Sequence, residues 1–478
     1  MPSGLLAHSA EQFAARPAIL EGERRVTYGE LWDAVQTASR TLGARGVAPG
    51  SVVALQMANS LESVVTLFAA RVQGATVLLL DPALTREDVR SHCERAGAQL
   101  LLRAAAQVEQ VGDATPREGG YAFLVLSSGT AGRPKIVPRT PEQAAASARV
   151  FHDTVPYVPE DRVFGIPPFF HNYGLHDILV NTLASGAMLC LERFVPRRAA
   201  AMVEREGITV LAATPFMYRL MAETKFARRP DFSTVRLAIS AGSPLTVAVA
   251  RGFEQQFGVR ITTLYGSTET GPIAIALDDD GAGEPGCVGR PCVGVQVAIL
   301  NPDGQPVDAD EVGQVAVRSP ANAPGYLDDP EASARVFLVS HLHLALGGEV
   351  RNEDVTPTVL TGDLGRLDAD GRLFILGRNR PMLDVAGKKV SPAEVEACLR
   401  SHPAVADAVV RGERTAEGDE RIVALVEATG PVTPLELREH CGRRLAGFKV
   451  PRHIRLVQSL ARGALGKSPI EPPDAPGG

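Results

Sequence analysis

Phe123-Leu-Val-Leu-Ser-Ser-Gly-Thr-Ala-Gly-Arg-Pro-Lys135 joins an apolar run to a series of small hydroxyl residues and glycines that ends in a lysine. The apolar half reads as a buried strand. The polar half frees backbone N–H groups, adds hydroxyl donors and supplies a mobile point charge, which is what gripping the β- and γ-phosphates of a nucleotide requires. The spacing G-x-x-x-x-G-K-[ST] is absent, so this is not a Walker loop. The plainer alternative is a polar strand-to-helix turn. Outward from this stretch, β-branched runs at 75–82, 208–215, 235–242 and 261–269 alternate with amphipathic, Ala-rich segments. That alternation predicts βαβ units in a layered α/β fold. Helix starts are marked at Thr140-Pro141-Glu142-Gln143 and Ser391-Pro392-Ala393-Glu394, each a capping residue, a first-turn proline and a Glu or Gln at the third helical position.

From about 295 the texture changes to short alternating runs (VQVAIL, then GQVAVRS), the pattern of a small antiparallel β unit that ends the large domain. After Gly377 it changes again. The tail predicts helix 392–401, strand 404–411, strand 421–428, helix 434–446 and strand 450–458, an α+β unit able to form its own small core. The expected division is therefore residues 1–377 and 378–478, a large α/β domain followed by a small mobile α+β one.

The chain has 478 residues, 45% hydrophobic and 22% charged, with 49 Lys and Arg against 55 Asp and Glu. A net charge of −6 gives no global field for nucleic acid or an anionic membrane, so any phosphate site must be local. Six cysteines lie without a CxxC pair or metal-ligand spacing and read as buried free thiols. The start lacks a basic segment followed by a long apolar run, and no stretch reaches the length of a membrane span; a cytoplasmic protein is expected.

Three further segments could carry chemistry. At Tyr265-Gly-Ser-Thr-Glu-Thr270 a strand ends in a turn where Glu269 could hold Mg²⁺ and Thr268 could donate to an α-phosphate; a solvated Glu after a strand is the alternative. In Thr361-Gly-Asp363, the carboxylate offers two acceptor oxygens to a ribose diol, or the pair is only a turn. Arg378 is a second candidate ribose or phosphate contact. Lys467, on a Gly-flanked loop, reads by itself as a solvated lysine.

Together and in this order, these segments resemble the adenylate-forming superfamily of acyl- and aryl-CoA synthetases, peptide-synthetase adenylation domains and firefly luciferase. The likeness spans nearly the whole chain. It includes Arg25-Val-Thr-Tyr-Gly-Glu-Leu31, the loop 127–135, Pro168-Phe-Phe-His171, Ala241-Gly-Ser-Pro-Leu245, Leu264 to Thr270, Val288-Gly-Arg-Pro291, Thr361-Gly-Asp363, Gly377-Arg378, Gly387 to Glu396 and Gly466-Lys467.

The resemblance implies that ATP and Mg²⁺ serve to convert a carboxylic acid to acyl-AMP, with later transfer to a thiol. It assigns Ser127, Ser128, Gly129, Thr130, Gly132 and Lys135 to the phosphate loop, Thr268 and Glu269 to the α-phosphate and metal, and Asp363 and Arg378 to the ribose. Gly242, Ser243, Tyr265 and Gly266 would border the adenine. His171, Asn172, Tyr173 and Ala241, with Gly242 and Gly266, would line the acid pocket, His171 close to the reacting group. Lys467 would be carried in by the small domain for adenylation. Arg380 stands at the pivot, and Gly387 with Lys388 would meet coenzyme A or a carrier-protein phosphopantetheine.

The chain departs from the family at Ala131 and Ile136 in the phosphate loop, at Val359 and Leu360 where an aromatic residue is usual, at Arg380-Pro381 and throughout 335–358. Asn172 cannot ion-pair with a substrate ammonium, which argues against an α-amino acid. The triplet His171-Asn172-Tyr173 resembles aryl-acid-activating members. A medium or long aliphatic acid is the next reading, with Gly174 and Ala241 opening room for it, and Asn172 as a mere helix cap is a third. An amine acceptor stays open beside the thiol. A non-catalytic nucleotide-binding relative would be expected to lose Lys467 or Glu269, and both are present.

Overall fold

The computed structural model describes residues 2–104, 107–112, 120–127, 134–277, 284–338, 356–378, 383–385, 388–390, 392–414, 420–445 and 447–460. The apolar runs read from the sequence form strands, and Thr76–Leu80 and Val210–Ala213 are buried on both faces, as parallel strands flanked by helices must be. Thr76–Leu80 and Phe123–Ser127 lie side by side, parallel, in a six-stranded sheet. Val210–Ala213, Leu237–Ser240 and Ile261–Ser267 are parallel neighbours in a nine-stranded sheet. Helices pack between and around the sheets. The main core takes in Phe68, Phe123, Phe151 and Leu175, and runs on to Leu373.

Two local readings change. Phe123–Ser127 does not run into a helix: it pairs antiparallel with Lys135–Arg139, Ser127 opposite Lys135, and the helix Pro141–Thr154 comes only after that second strand. Ile136 and Val137 are buried in the sheet, and this apolar demand makes the segment a strand. The predicted capping box is present, Thr140 accepting from Gln143 N–H and Gln143 returning a bond to Thr140 N–H.

The second change concerns Thr361-Gly-Asp363, which lies inside the ten-residue strand Thr358–Leu367. That strand is central in a small sheet with Gln296–Leu300, Gly313–Arg318, Phe337–Leu338 and Leu373–Arg378.

Beyond it stand the hairpin Leu383–Val385 with Lys388–Val390, helices Pro392–Arg400 and Pro434–Gly442, and a three-stranded sheet of Val405–Arg414, Glu420–Ala428 and His453–Val457. A separate cluster, with Leu383, Leu399, Val426 and Leu437, forms the core there. All six cysteines are buried, and none is in a disulfide.

Candidate active site

The small sheet builds the first corner. Gln314 pairs with Leu364 and Ala316 with Leu360, so Val315 alone faces Thr361, Gly362 and Asp363. Such a bulge re-aims a side chain, and Gly362 supplies the φ of +74° that it needs. Asp363 is the direct cross-strand partner of Arg378, whose Nε lies 3.1 Å from Oδ1. Tyr265 donates its hydroxyl to Oδ2 at 2.6 Å, and Arg378 Nη1 donates to the Thr361 carbonyl at 3.0 Å. Burial, then Asp363, holds the Tyr265 phenol well above its ordinary value, so it stays a donor. Burial works against the Arg378 charge, but Asp363 together with Tyr265, Glu269 and Tyr326 outweighs it, and the guanidinium is held above its usual range.

The phosphate side is organised by a segment that the sequence reading passed over. Tyr326 donates to Glu269 Oε1 at 3.0 Å, and Ala323 N–H donates to the Glu269 carbonyl at 2.8 Å. Lys135 is ion-paired with Asp329, the residue that caps the helix Pro330–Val336 through Ala332 N–H. Asp329-Pro330-Glu331 is a helix-start signature and could have been found. Its reach to Lys135, across 194 residues, could not.

Beneath the Thr268-Glu269 turn lies Arg139, which has no exposed surface. Its guanidinium donates to the carbonyls of Thr268 and Ala321, and no carboxylate comes within ion-pair range among the described residues. Burial lowers it to about 10, so it remains a cation at neutral pH. A buried charge without a direct ion pair is costly, and here it ties together two loops at the site, with Glu269 acting on it from a distance.

The motif His171-Asn172-Tyr173, the candidate acid pocket, opens a π-helix, Tyr173–Val180, a rare form found often at functional sites. Asn172 makes no side-chain cap to it; its Oδ1 lies 3.0 Å from His176 Nδ1, so the cap reading is set aside. Burial drives His176 down to about 3, and the ring is neutral. A neutral ring facing an amide oxygen carries its proton on Nδ1 and leaves the Asn172 NH₂ as the free donor. Tyr173 donates to the Ile239 carbonyl at 3.1 Å. Gly174 does not open the pocket: a Cβ there would sit 2.1 Å from the Pro168 carbonyl, so glycine serves close packing. Likewise a Cβ on Gly266 would meet the Gly271 carbonyl at 2.5 Å. Ala241, Gly242 and Ser243 follow the end of strand Leu237–Ser240, Gly242 with a φ of +93°, and His171 lies against Phe170.

Asp177, next to His176, is fully buried, and its Oδ1 has no hydrogen-bond partner among the described residues. Burial raises its carboxyl well above the ordinary 3.8 despite Arg139 nearby. The folded protein then keeps a proton that the unfolded chain releases, so stability falls as pH rises above 3.8. Asp177→Asn should therefore melt at a higher temperature than the parent at pH 8, by several degrees, and lose that advantage near pH 4. Melting curves at both pH values check this; equal melting temperatures throughout would mean an ionised Asp177.

Asp363, Arg378 and Tyr265 are thus brought together, and Glu269 with Tyr326 is near enough to act on the Arg378 charge. Lys388 lies on its short strand opposite Val385. Ser128, Gly129, Thr130, Gly132, Arg380, Gly387 and Lys467 lie outside the described residues.

The family model of the AMP-binding enzymes matches residues 6–327, and that of their C-terminal domain matches 394–467. The chain belongs to this family of adenylate-forming enzymes, and it is an ATP-dependent acid ligase. Among its relatives, the 2-succinylbenzoate–CoA ligase of Geobacillus kaustophilus is 30% identical, over 95% of this chain and 93% of that one. The oxalate–CoA ligase of Arabidopsis thaliana is 29% identical over 97% and 96%. The solved o-succinylbenzoate coenzyme A synthetase of Bacillus subtilis, in complex with ATP and magnesium ion, has a TM-score of 0.80 at 26% identity, over 97% of this chain and 98% of that one. No helix among the described residues is long and apolar enough to cross a membrane.

Proposed function

We propose that this enzyme activates an aryl carboxylic acid of the benzoate or hydroxybenzoate type and passes the acyl group to the thiol of coenzyme A. The observation that carries the aryl reading is the Asn172–His176 pair beside the pinned Tyr173: an uncharged donor next to a ring, where a substrate ammonium would find an amide and not a carboxylate. The 2-succinylbenzoate ligase and its solved Bacillus counterpart support it.

In the first step a substrate carboxylate, already ionised at pH 7, attacks the α-phosphorus of ATP while the bond to the β-phosphate breaks and pyrophosphate leaves. The protein aligns the reactants and neutralises charge. Asp363, with Tyr265 and Arg378, holds the ribose, Thr268 donates to the α-phosphate and Lys135 leaves Asp329 for the outer phosphates. Glu269 would offer its second carboxylate oxygen to Mg²⁺, since Tyr326 occupies the first. When bound, that cation neutralises phosphate oxygens. In the second step the thiol attacks the acyl carbonyl and AMP leaves. Residues 1–377 serve as the adenylation core and 378–478 as the lid that brings Lys467, and then Gly387 and Lys388, to the site. We place the reaction in the cytoplasm.

Acid-dependent ATP–pyrophosphate exchange over benzoates, hydroxybenzoates, cinnamates, fatty acids and amino acids tests this. Exchange driven by one aryl group is expected; exchange with fatty acids only would replace the aryl reading. Following the activated acid with coenzyme A, a carrier-protein phosphopantetheine or an amine present then identifies the acceptor. Asn172→Asp should lower kcat/KM for the aryl acid at least tenfold, because it sets a carboxylate against the pocket without a counter-charge. An unaltered profile on every accepted acid would remove Asn172 from the pocket.

A further inference from the structure

Glu427 lies near the end of the strand Glu420–Ala428, between two other strands of the C-terminal sheet, and its side chain is 1% exposed. A carboxylate at such a place would be hydrated unless something covered it. The cover comes from the large unit. Arg219, on the helix Pro215–Glu223, sets Nη1 at 2.8 Å from Glu427 Oε1, its guanidinium lying over the Phe216 ring. The other oxygen, Oε2, accepts from Leu460 N–H at 3.0 Å. One carboxylate thus holds both the large unit and the chain that leads, seven residues later, to Lys467.

The helix that carries Arg219 starts beside the acid pocket. Its first residue follows Thr214 at the end of the strand Val210–Ala213, and Ala241 N–H donates to the Ala213 carbonyl at 3.4 Å. We propose that Arg219 and Glu427 are positioning residues for acyl-AMP formation: their contact seats the C-terminal unit on the large unit for that half-reaction and is released for thiol transfer. The proposal rests on the adenylating function argued above.

The physics of a buried ion pair suits a reversible catch. Its attraction is largely offset by lost hydration, and both groups recover water when the units part, so the pair can be broken without a large penalty. Removing Arg219 alone is different. The seated arrangement must then bury the Glu427 charge without that cation, whereas the parted arrangement is unaffected, and the population moves away from the seated form.

The test uses the full chain with Arg219→Ala, Arg219→Lys and Glu427→Gln. Exchange driven by the best benzoate of the panel is measured beside transfer to coenzyme A from the chemically prepared acyl-AMP. Arg219→Ala should lose about tenfold in exchange, keep transfer within about twofold, and be partly restored by Arg219→Lys. A merely structural role would lower both half-reactions together. Small-angle scattering without substrates gives a second readout, a larger radius of gyration in Arg219→Ala than in the parent. If the parent shows no exchange, the function fails and scattering alone decides the contact. Unchanged scattering, or equal loss in the two half-reactions, would overturn the proposal.

Discussion

Lys467→Ala is expected to reduce acyl-AMP formation by about a thousandfold or more while ATP affinity stays within a few-fold. The attacking carboxylate and the phosphate chain are both anionic, so the barrier is set by how well developing charge on the α-phosphate and the departing pyrophosphate is met. A cation supplied only when the small unit is in place acts on the transition state far more than on bound ATP, which is the signature of a kcat effect. Single-turnover acyl-AMP formation and calorimetric ATP titration separate the two. A mutant that adenylates at the parent rate would take Lys467 out of the reaction.

Asp363→Asn should cost about two orders of magnitude in kcat/KM for ATP. An ionised carboxylate accepts two charge-assisted bonds from a diol, each worth about 1.5–3 kcal/mol, and an amide offers one weaker acceptor in its place. It would also leave Arg378, now 3.1 Å from that carboxylate, facing a neutral group. The 2′-deoxy analogue of ATP provides the control: the parent enzyme should discriminate against it, and Asp363→Asn should hardly do so. Equal discrimination by both would place the ribose elsewhere.

Much of the architecture was readable because parallel strands buried on both faces must be largely apolar, and the runs at 123–126 and 237–239 are apolar throughout. The C-terminal strands and helices fell within a few residues of their expected places for a similar reason. What failed was local shape that is set by distant partners. Gly362-Asp363 looks like a turn in isolation, and only its place opposite the lone Val315 on one flanking strand and the pairing of Asp363 with Arg378 on the other make it a bulge. Arg139 looks like a surface arginine beside two prolines; the carbonyls that receive it lie 129 and 182 residues away. The candidate nucleotide residues were legible as chemistry, whereas Tyr326 and Asp329, which hold Glu269 and Lys135 in place, were hidden by the same distance.

The π-helix has a bearing on how such a pocket changes over generations. A π turn is an α-helix that has accepted surplus chain, so a one-residue deletion between Leu175 and Val180 would relax it toward regular winding rather than break it. With Val180 and the following Asn181–Ala184 turn anchored in the core, the surplus would be taken up at the other end. Asn172 and His176, both ahead of a deletion at 177–179, would turn together about the helix axis, keep their i,i+4 contact and face a different side of the pocket. On the proposed pocket assignment, a change of acid specificity is thus within reach of a single codon lost, with no pocket residue exchanged.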